Sequence, residues 1–445
     1  MTEREPDEKP PDALEERRER LERELAAREA KALAMGGPEK LARRAAAGLL
    51  DARQRLGRLL DVGTYIESGL FSTSAHPPDR DRSPSDGKIA GFGKIGGREV
   101  AVVSNDFTVM GASSGATNGR KIAHMRRVAT QRGLPLVVDA DYRLSPGARM
   151  PDHMGSRGMG SLLGNDGLQY LRQRETPWAS ATLGMSYGSS SWYAVLSDFN
   201  VMRKGAVLAV SSSLLASLAI KEEVDAQELG GWQLHAEVTG FADMVVDTDE
   251  EALDAIRRFL DYLPSHHNEA PPVRAVPAGS GARMRDILRH LPASRTQVHD
   301  VRRIIRDVVD ADSYFELKPR FGKVATTGLA RLDGRTVGIV ANNPLYKGAA
   351  MDTEACEKIT SFIVLCDSFN IPLVLFVDTP GFVIGTEAER RRAPGKIMNM
   401  MNALALTTVP KLSVILRKSY GQAYLNMGGG RNSDEVAAWP TAEVS

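Results

Sequence analysis

The chain is short of cysteine, of net charge and of long apolar runs, and each shortage excludes a class of function. Its 445 residues hold two cysteines, Cys356 and Cys366, which cannot form a metal site alone and lie in one apolar helical pattern typical of buried thiols. Lysine and arginine number 57 against 56 acidic residues, so no excess charge would recruit nucleic acid or acidic lipid. No window holds about 18 uninterrupted apolar residues, and the first residues are acidic and proline-rich, so we expect no membrane span and no export signal. These features predict a cytoplasmic globular protein that is long enough for two domains.

Several catalytic signatures are also missing. The chain has no Walker lysine loop, no His-Glu-x-x-His pair and no cysteines at zinc spacing, so phosphoryl transfer and zinc mechanisms lack their usual residues. Of only eight histidines, His266 and His267 fall in a proline-rich linker, where a solvated role is favoured. We expect no metal site. A mechanism that uses main-chain N–H groups as donors needs few catalytic side chains, so it is compatible with the absence of these motifs.

The two halves of the chain repeat each other. Gly97–Val103 and Gly334–Val340 each open a segment that ends in an apolar strand and an aspartate. The register does not drift, because 335 − 98, 358 − 121, 372 − 135 and 378 − 141 all equal 237. Downstream, Tyr187-Gly188 returns as Tyr420-Gly421 at an offset of 233. A repeat this long indicates two copies of one domain, and strands alternating with helical stretches predict an α/β fold with parallel or mixed sheets.

Composition divides the chain into four segments. Residues 1–86 form a charged helical arm and a loop, and 87–265 form the first lobe. Residues 266–285, which contain Pro271-Pro272, form a linker, since paired prolines continue neither a helix nor a central strand. Residues 286–445 form the second lobe.

Four glycine-containing loops follow apolar runs at matching places in the two halves. They are Leu144–Arg149, Gly184–Ser190, Thr379–Phe382 and Ser419–Ala423. Each loop taken singly is compatible with ordinary turn chemistry. Their repetition favours loops whose amides converge on one point, which is how proteins stabilise the oxyanion that thioester enolate chemistry requires.

Motifs along nearly the whole chain from about residue 40 carry a resemblance to a known family. They are Ala52–Arg55, Leu60–Glu67, Asp86-Gly87, Ser104–Val109, Glu228–Gly231, Tyr262–Ser265, Ala341–Pro344, Phe376–Phe382, Arg417–Gly421 and Ala438–Glu443. With these the chain resembles the carboxyltransferase (beta) subunit of biotin-dependent acyl-CoA carboxylases, the propionyl-CoA and acetyl-CoA carboxylase group. The resemblance implies two tandem crotonase-like lobes behind the helical arm, an acyl-thioester side in the first lobe and a biotin side in the second. The second lobe is short at its C-terminal end relative to this family.

The resemblance also implies a mechanism. A carboxyl group would pass from carboxybiotin to the α carbon of an acyl-CoA thioester, through an enolate held by backbone amides. Carboxybiotin would arrive on a separate biotin carboxylase or biotin carrier subunit. Each site would form between subunits, so we expect at least a homodimer, a hexamer by analogy, or a hetero-oligomer with a homologous beta subunit.

The site residues follow from the matching motifs. The first amide pair would involve Gly147 and Ala148 with Gly188 and Ser189, and the second Gly381 and Phe382 with Gly421, Gln422 and Ala423. Candidates for binding CoA or biotin are Lys121, Arg149, Tyr420, Tyr424 and Leu425. Leu425 stands where the family selects acyl length.

Departures from the family leave alternatives open. Pro146, Ser189 and Gln422 interrupt the family's glycine pairs. A second reading is therefore a biotin-independent decarboxylase, or an acyl transfer or condensation enzyme, acting on a CoA or carrier-protein thioester. Its candidate acid and base groups are Tyr142, Asp152 and His153. A third reading is a non-catalytic subunit that supports an active homologue.

Overall fold

A helical arm leads into the first of two α/β lobes. The fold is taken from a computed structural model that describes residues 13–140, 171–294 and 296–445. The arm contains α1 (Ala13–Leu33), α2 (Pro38–Ala46) and α3 (Ala52–Leu59). Helix α3 begins with a capping box of Asp51 and Gln54 and buries Arg55, whose Nη2 lies 3.1 Å from Oδ2 of Asp249 in the first lobe. This buried ion pair anchors the arm to the lobe.

The first lobe is built on a seven-stranded mixed sheet of order β1-β2-β3-β4-β5-β7-β9, with β6 and β8 paired separately. Strands β1 to β3 are antiparallel and the others parallel. The elements are β1 (Ile66–Ser68), β2 (Lys88–Ile95), β3 (Arg98–Asn105), α4 (Ala116–Arg132), β4 (Leu136–Ala140), β5 (Trp178–Thr182), β6 (Met185–Tyr187), α5 (Ser189–Leu196), β7 (Phe199–Arg203), β8 (Val207–Ala209), α6 (Ser213–Ile220), α7 (Ala226–Gly230), β9 (Met244–Val246) and α8 (Asp249–Tyr262).

The second lobe repeats this plan. Its sheet runs β10-β11-β12-β13-β14-β15, with β16 also paired to β14, and it is antiparallel from β10 to β12 and parallel beyond. The elements are α9 (Val301–Val308), β10 (Phe315–Leu317), β11 (Ala325–Leu332), β12 (Arg335–Asn342), α10 (Thr353–Ser368), β13 (Leu373–Thr379), α11 (Thr386–Arg390), α12 (Ala393–Leu406), β14 (Lys411–Ser419), α13 (Gly421–Asn426), β15 (Glu435–Ala438) and β16 (Glu443–Val444).

The repeat seen in the sequence is a repeat of elements. The starts of β2, β3, α4 and β4 precede those of β11, β12, α10 and β13 by 237 residues in every case, and β5 precedes β14 by 233. One segment boundary has to move. Strand β1 lies inside segment 1–86, which the sequence assigned to the arm and a loop, yet it pairs with β2 and so belongs to the first sheet.

The lobes share an apolar core rather than facing each other across solvent. The Phe199 ring stacks on Phe259 at 4.7 Å and lies 5.7 Å from Phe315 of the second lobe. The Tyr262 hydroxyl donates to the Ser313 carbonyl across the same boundary. Cys356 and Cys366 are buried in α10 as predicted. No helix among the described residues is long and apolar enough to cross a bilayer.

Candidate active site

The pairing of β13 with β14 brings two of the predicted loops together. These strands are parallel, and Thr379 pairs with Ser419 at their carboxyl ends. Gly381 and Gly421 each lie two residues beyond a member of that pair, so the two loops leave the sheet side by side. The amide of Tyr420 also donates to the carbonyl of Thr379 at 3.4 Å. Carboxyl ends of parallel strands are where α/β proteins usually bind ligands.

The glycine amides at this edge already have acceptors. Gly381 N–H donates to Thr379 Oγ1 at 3.2 Å, and Gly421 N–H donates to the Ser445 carbonyl at 2.9 Å. Both glycines have positive φ, +133° for Gly381 and +57° for Gly421, and a Cβ on either would meet no atom within 4 Å. Their role is therefore to let the chain turn, which L side chains would do only under strain.

Next to these glycines in the second lobe are amides without an acceptor among the described residues. The Met351 amide donates to the Gly381 carbonyl at 2.9 Å, and the Met351 carbonyl accepts from the Val383 amide at 2.8 Å. In such a parallel bridge the N–H of the residue between them, Phe382, points away from Met351. Gln422 and Ala423 occupy the first turn of α13, where N–H groups have no intrahelical acceptor. Among the described residues, no acceptor is found for these three amides.

The side chain of Gln422 does not close the site. Its Nε2 donates to Oδ1 of Asn426 one turn along α13, at 3.3 Å, and the residue is exposed. A cavity of about 380 Å³ lies next to the Phe382 loop. Its walls include apolar side chains of Met351, Ile384 and Ile397. The described walls of this cavity come from residues 347–397, and the hydrogen bond to Asn426 keeps the Gln422 side chain along α13.

Three predicted binding residues, Tyr420, Tyr424 and Leu425, make contacts within the fold. The Tyr420 hydroxyl donates to Oε2 of Glu443 at 2.7 Å. The ring of Tyr424 lies against Gly429, where even a Cβ would collide with it, and the Leu425 carbonyl accepts hydrogen bonds from the same segment. These contacts hold the segment 427–445 against α13.

A buried charged cluster below the site was not predicted. Asp378 at the end of β13 accepts from Nε of Arg417 at 2.8 Å and from the Lys418 amide at 3.2 Å. His299 Nε2 lies 3.8 Å from the same carboxylate, and burial lowers the pKa of His299 to about 4. The repeat of the aspartate at 141 and 378 was a signal in the sequence, but its partners come from distant segments. Among the described residues, no group of three or more His, Cys, Asp or Glu could hold a metal ion.

In the first lobe the described part of the site is Gly188 and the helix after it. Gly188 has φ +59°, donates to the Val210 carbonyl at 3.2 Å and immediately precedes α5, whereas its counterpart Gly421 is the first residue of α13. Ser189 is the first residue of α5, where the N–H has no intrahelical acceptor. The remaining predicted residues of this lobe's loop lie outside the described residues; they are Gly147, Ala148, Arg149 and the alternatives Tyr142, Asp152 and His153.

Lys121, predicted to contact CoA phosphates, has a structural role. Its Nζ donates to the carbonyls of Gly69, Ser85 and Lys88. Its repeat counterpart Lys358 likewise donates to three carbonyls, at 2.8, 3.0 and 2.8 Å. Burial lowers the pKa of Lys121 to about 8 and also lowers that of Lys358. A lysine that recurs in both lobes with the same contacts supports the fold, and this corrects the phosphate-binding assignment.

The letters Gly184–Gly188 also match the Gly-x-Ser-x-Gly pattern of serine hydrolases. That motif requires its serine on a sharp turn between a strand and a helix, with an exposed hydroxyl. Ser186 lies inside β6 and is fully buried, and the turn comes two residues later at Gly188. The geometry excludes Ser186 as a hydrolytic nucleophile.

Comparison with known proteins matches these features to one family. The model of the carboxyl transferase domain matches residues 43–445. The carboxyltransferase subunit of propionyl-CoA carboxylase from Haloferax mediterranei is 36% identical, over 95% of this chain and 82% of its own. The methylmalonyl-CoA carboxyltransferase 12S subunit of Propionibacterium freudenreichii subsp. shermanii is 34% identical over 92% of this chain and 78% of its own.

Solved structures agree. The transcarboxylase 12S hexamer with hydrolyzed methylmalonyl-coenzyme A bound superposes with a TM-score of 0.88 at 32% identity, over 98% of this chain and 85% of that one. A single-chain, multi-domain long-chain acyl-CoA carboxylase gives a TM-score of 0.82 at 26% identity, over 95% of this chain and 43% of that one. These matches confirm the predicted fold class of two crotonase-like lobes with a helical N-terminal region.

Proposed function

Because the chain belongs to the carboxyl transferase domain family, we propose that it moves a carboxyl group from carboxybiotin to the α carbon of an acyl-CoA thioester. Carboxyltransferase activity follows from the family, and the proposal concerns the donor, the acceptor and the catalytic groups. The observation that carries it is the pairing of Thr379 with Ser419, which sets the Phe382 loop beside the first turn of α13 with amides free in both.

The amides supply what enolate chemistry needs. When a thioester loses its α proton, negative charge gathers on the carbonyl oxygen, and donors fixed beforehand around that oxygen lower the barrier. In the first lobe we assign this role to the Ser189 amide together with the loop at 147–148. In the second lobe we assign the Phe382 amide and those of residues 422–423 to the ureido oxygen of biotin. No side-chain base is required, because the ureido anion left when carboxybiotin gives up CO2 would take the α proton, and the enolate carbon would then bond to that CO2.

The residues around the second-lobe cavity fit a biotin ring. A volume of about 380 Å³ lies within the range of small-molecule sites, which are mostly apolar with a few polar groups that orient the ligand. Met351, Ile384 and Ile397 would exclude water from the ring, while the Phe382 amide would orient its oxygen. Carboxybiotin supplies an activated carboxyl group, and the protein holds it next to the acceptor.

The remaining parts of the proposal concern assembly and location. We propose at least a homodimer and, in line with the hexamer assembly of the transcarboxylase 12S structure, a hexamer. The biotin would be carried by a separate carboxylase or carrier subunit. Two free, buried cysteines support a reducing compartment such as the cytoplasm.

A matched pair of variants tests the amide donors. Gln422→Pro removes one N–H in the first turn of α13, where proline costs no helix hydrogen bond, whereas Gln422→Ala keeps the N–H. We expect the proline variant to lose about 100-fold or more in kcat relative to the alanine variant, the usual cost of one oxyanion donor. Equal rates would exclude the Gln422 amide as a donor.

The assay also separates the reactions. The purified protein is offered carboxybiotin with a panel of acyl-CoAs, and separately malonyl-CoA and methylmalonyl-CoA without biotin. Carboxylated product supports the proposal. Release of CO2 without biotin would favour the decarboxylase reading, and inactivity in every arm, together with activation of a related carboxylase on mixing, would favour the non-catalytic subunit.

A further inference from the structure

The outer face of α4 in the first lobe is strongly cationic. Arg120, His124 and Arg127 are exposed and lie at helical spacing on one face, with Arg126 beside them. This face forms one wall of a groove of about 570 Å³ whose other wall contains Glu175 and Trp178. We call it the α4 groove. Among its described lining residues are the exposed cations Arg120 and Arg127, the exposed His124 and one carboxylate, Glu175.

The second lobe shows that the fold does not need these cations. At the offset of 237 residues, α10 has Glu357, Ser361 and Val364 where α4 has Arg120, His124 and Arg127. Both helices cover the same side of the same kind of sheet. The one cation that both helices keep is the structural lysine, Lys121 or Lys358. The additional positive charge of α4 is therefore specific to the first lobe and is not required by the fold.

The exposed arginines of the groove are not neutralised by the protein. Among the residues that the structure describes, Arg120 and Arg127 pair with no carboxylate, and the side-chain contact of Arg127 is a 3.1 Å hydrogen bond from Nη2 to Nδ1 of His124. Arg132, on the same helix outside the groove, does pair, with Glu99 at 2.8 Å. Arg120 and Arg127 carry the same charge on one face of one helix, so an anion in the groove would be attracted to both.

We propose that the α4 groove binds a phosphate-rich anion of the size of a nucleotide. Guanidinium groups present paired N–H donors that match phosphate oxygens, and the groove volume lies within the range of small-molecule sites. The phosphates belong either to the nucleotide part of an acyl-CoA or to a free nucleoside polyphosphate.

The position of the groove accommodates either source. Helix α4 joins β3 to the parallel β4, so its first turns lie at the carboxyl edge of the sheet, on the same edge as the site. Arg120 is in the second turn, and the helix is about 25 Å long. The other wall of the groove lies at the opposite, amino edge, where Trp178 begins β5. A nucleotide that also reached the site would therefore run along the outside of the lobe, beside α4. In the acyl-CoA case the inference rests on the proposed function.

Binding is measured directly, so that the result does not depend on turnover. Calorimetric titrations of the full-length protein with CoA, ADP and inorganic pyrophosphate compare Arg120→Gln/Arg127→Gln with a control, Arg132→Gln/Arg303→Gln, that removes the same charge elsewhere. Arg303 is exposed on α9. We expect the groove variant to bind at least about tenfold more weakly and the control to bind within about twofold of the unchanged protein. Thermal unfolding of both variants monitors the fold.

The outcomes are distinct. Binding of CoA, ADP and pyrophosphate alike identifies a general polyphosphate site, and binding of CoA alone identifies the nucleotide of the thioester. The general polyphosphate result stands even if no carboxyl transfer is found, in which case the proposed function fails and this inference does not. Absence of binding for all three probes, or equal binding by the groove variant and the control, overturns the inference.

Discussion

The recurring lysines of the two lobes give a prediction that separates structural from ligand-binding roles. Lys358→Met leaves three buried carbonyls of residues 318, 321 and 325 without the donor that satisfied them at 2.8 to 3.0 Å. Each buried carbonyl left unpaired costs about 1 to 3 kcal/mol. Removing the buried ammonium also removes its desolvation cost of several kcal/mol, which offsets part of this loss. We therefore expect the free energy of unfolding to fall by about 2 to 4 kcal/mol.

Lys121→Met is expected to act in the same way but more weakly. Its acceptors, Gly69, Ser85 and Lys88, lie nearer the surface, where water can replace the ammonium, so we expect a loss of about 1 to 2 kcal/mol. The KM for acyl-CoA should stay within about twofold, since this lysine already donates to three carbonyls.

Urea denaturation gives the free energies of unfolding, and steady-state kinetics give KM. Lys94→Met, at an exposed position of β2, is the control and should change neither quantity appreciably. If Lys121→Met raised the KM for acyl-CoA by about tenfold or more without lowering stability, the structural role would be wrong and the phosphate-binding role would return.

Two further predictions concern buried polar residues near the site. The folded pKa of His299 is about 4 and lies below its unfolded value, so the stability associated with this residue is complete above about pH 6.5 and is lost as the pH falls toward 4. Between pH 6.5 and 4 the free energy of unfolding of the His299→Gln variant should fall by about 3 kcal/mol less than that of the unchanged protein. If both proteins lost the same stability over this range, the lowered pKa of His299 would be contradicted. Facing charges from Asp300, Asp378, Arg417 and Lys418 are kept in both proteins. Ser186→Ala should retain kcat within about twofold in the carboxyl transfer assay, because the hydroxyl is buried inside β6, and a large loss would give this serine a catalytic role.

Sequence reasoning worked where one observation constrained many residues. The offset of 237 predicted two copies of one domain, and the two sheets repeat with that offset from β2 to β4. It could not reach the contacts that a residue makes, because the identity of a residue does not reveal them. Lys121 was a candidate for binding CoA phosphates, but its amine donates to the carbonyls of residues 69, 85 and 88. Tyr420 and Tyr424 belong to a recognisable motif, yet they contact residues 443 and 429.

The sequence by itself determined the order of elements, the duplication and the family, because these depend on apolar periodicity and on motifs that are local along the chain. Only the tertiary structure decided which amides can still donate. Gly381 and Gly421 carry the motif, but their N–H groups bond to Thr379 and to Ser445, and the free donors are their neighbours. The physical reason is that a hydrogen bond depends on the position of an acceptor, and acceptors come from parts of the chain that only folding brings close.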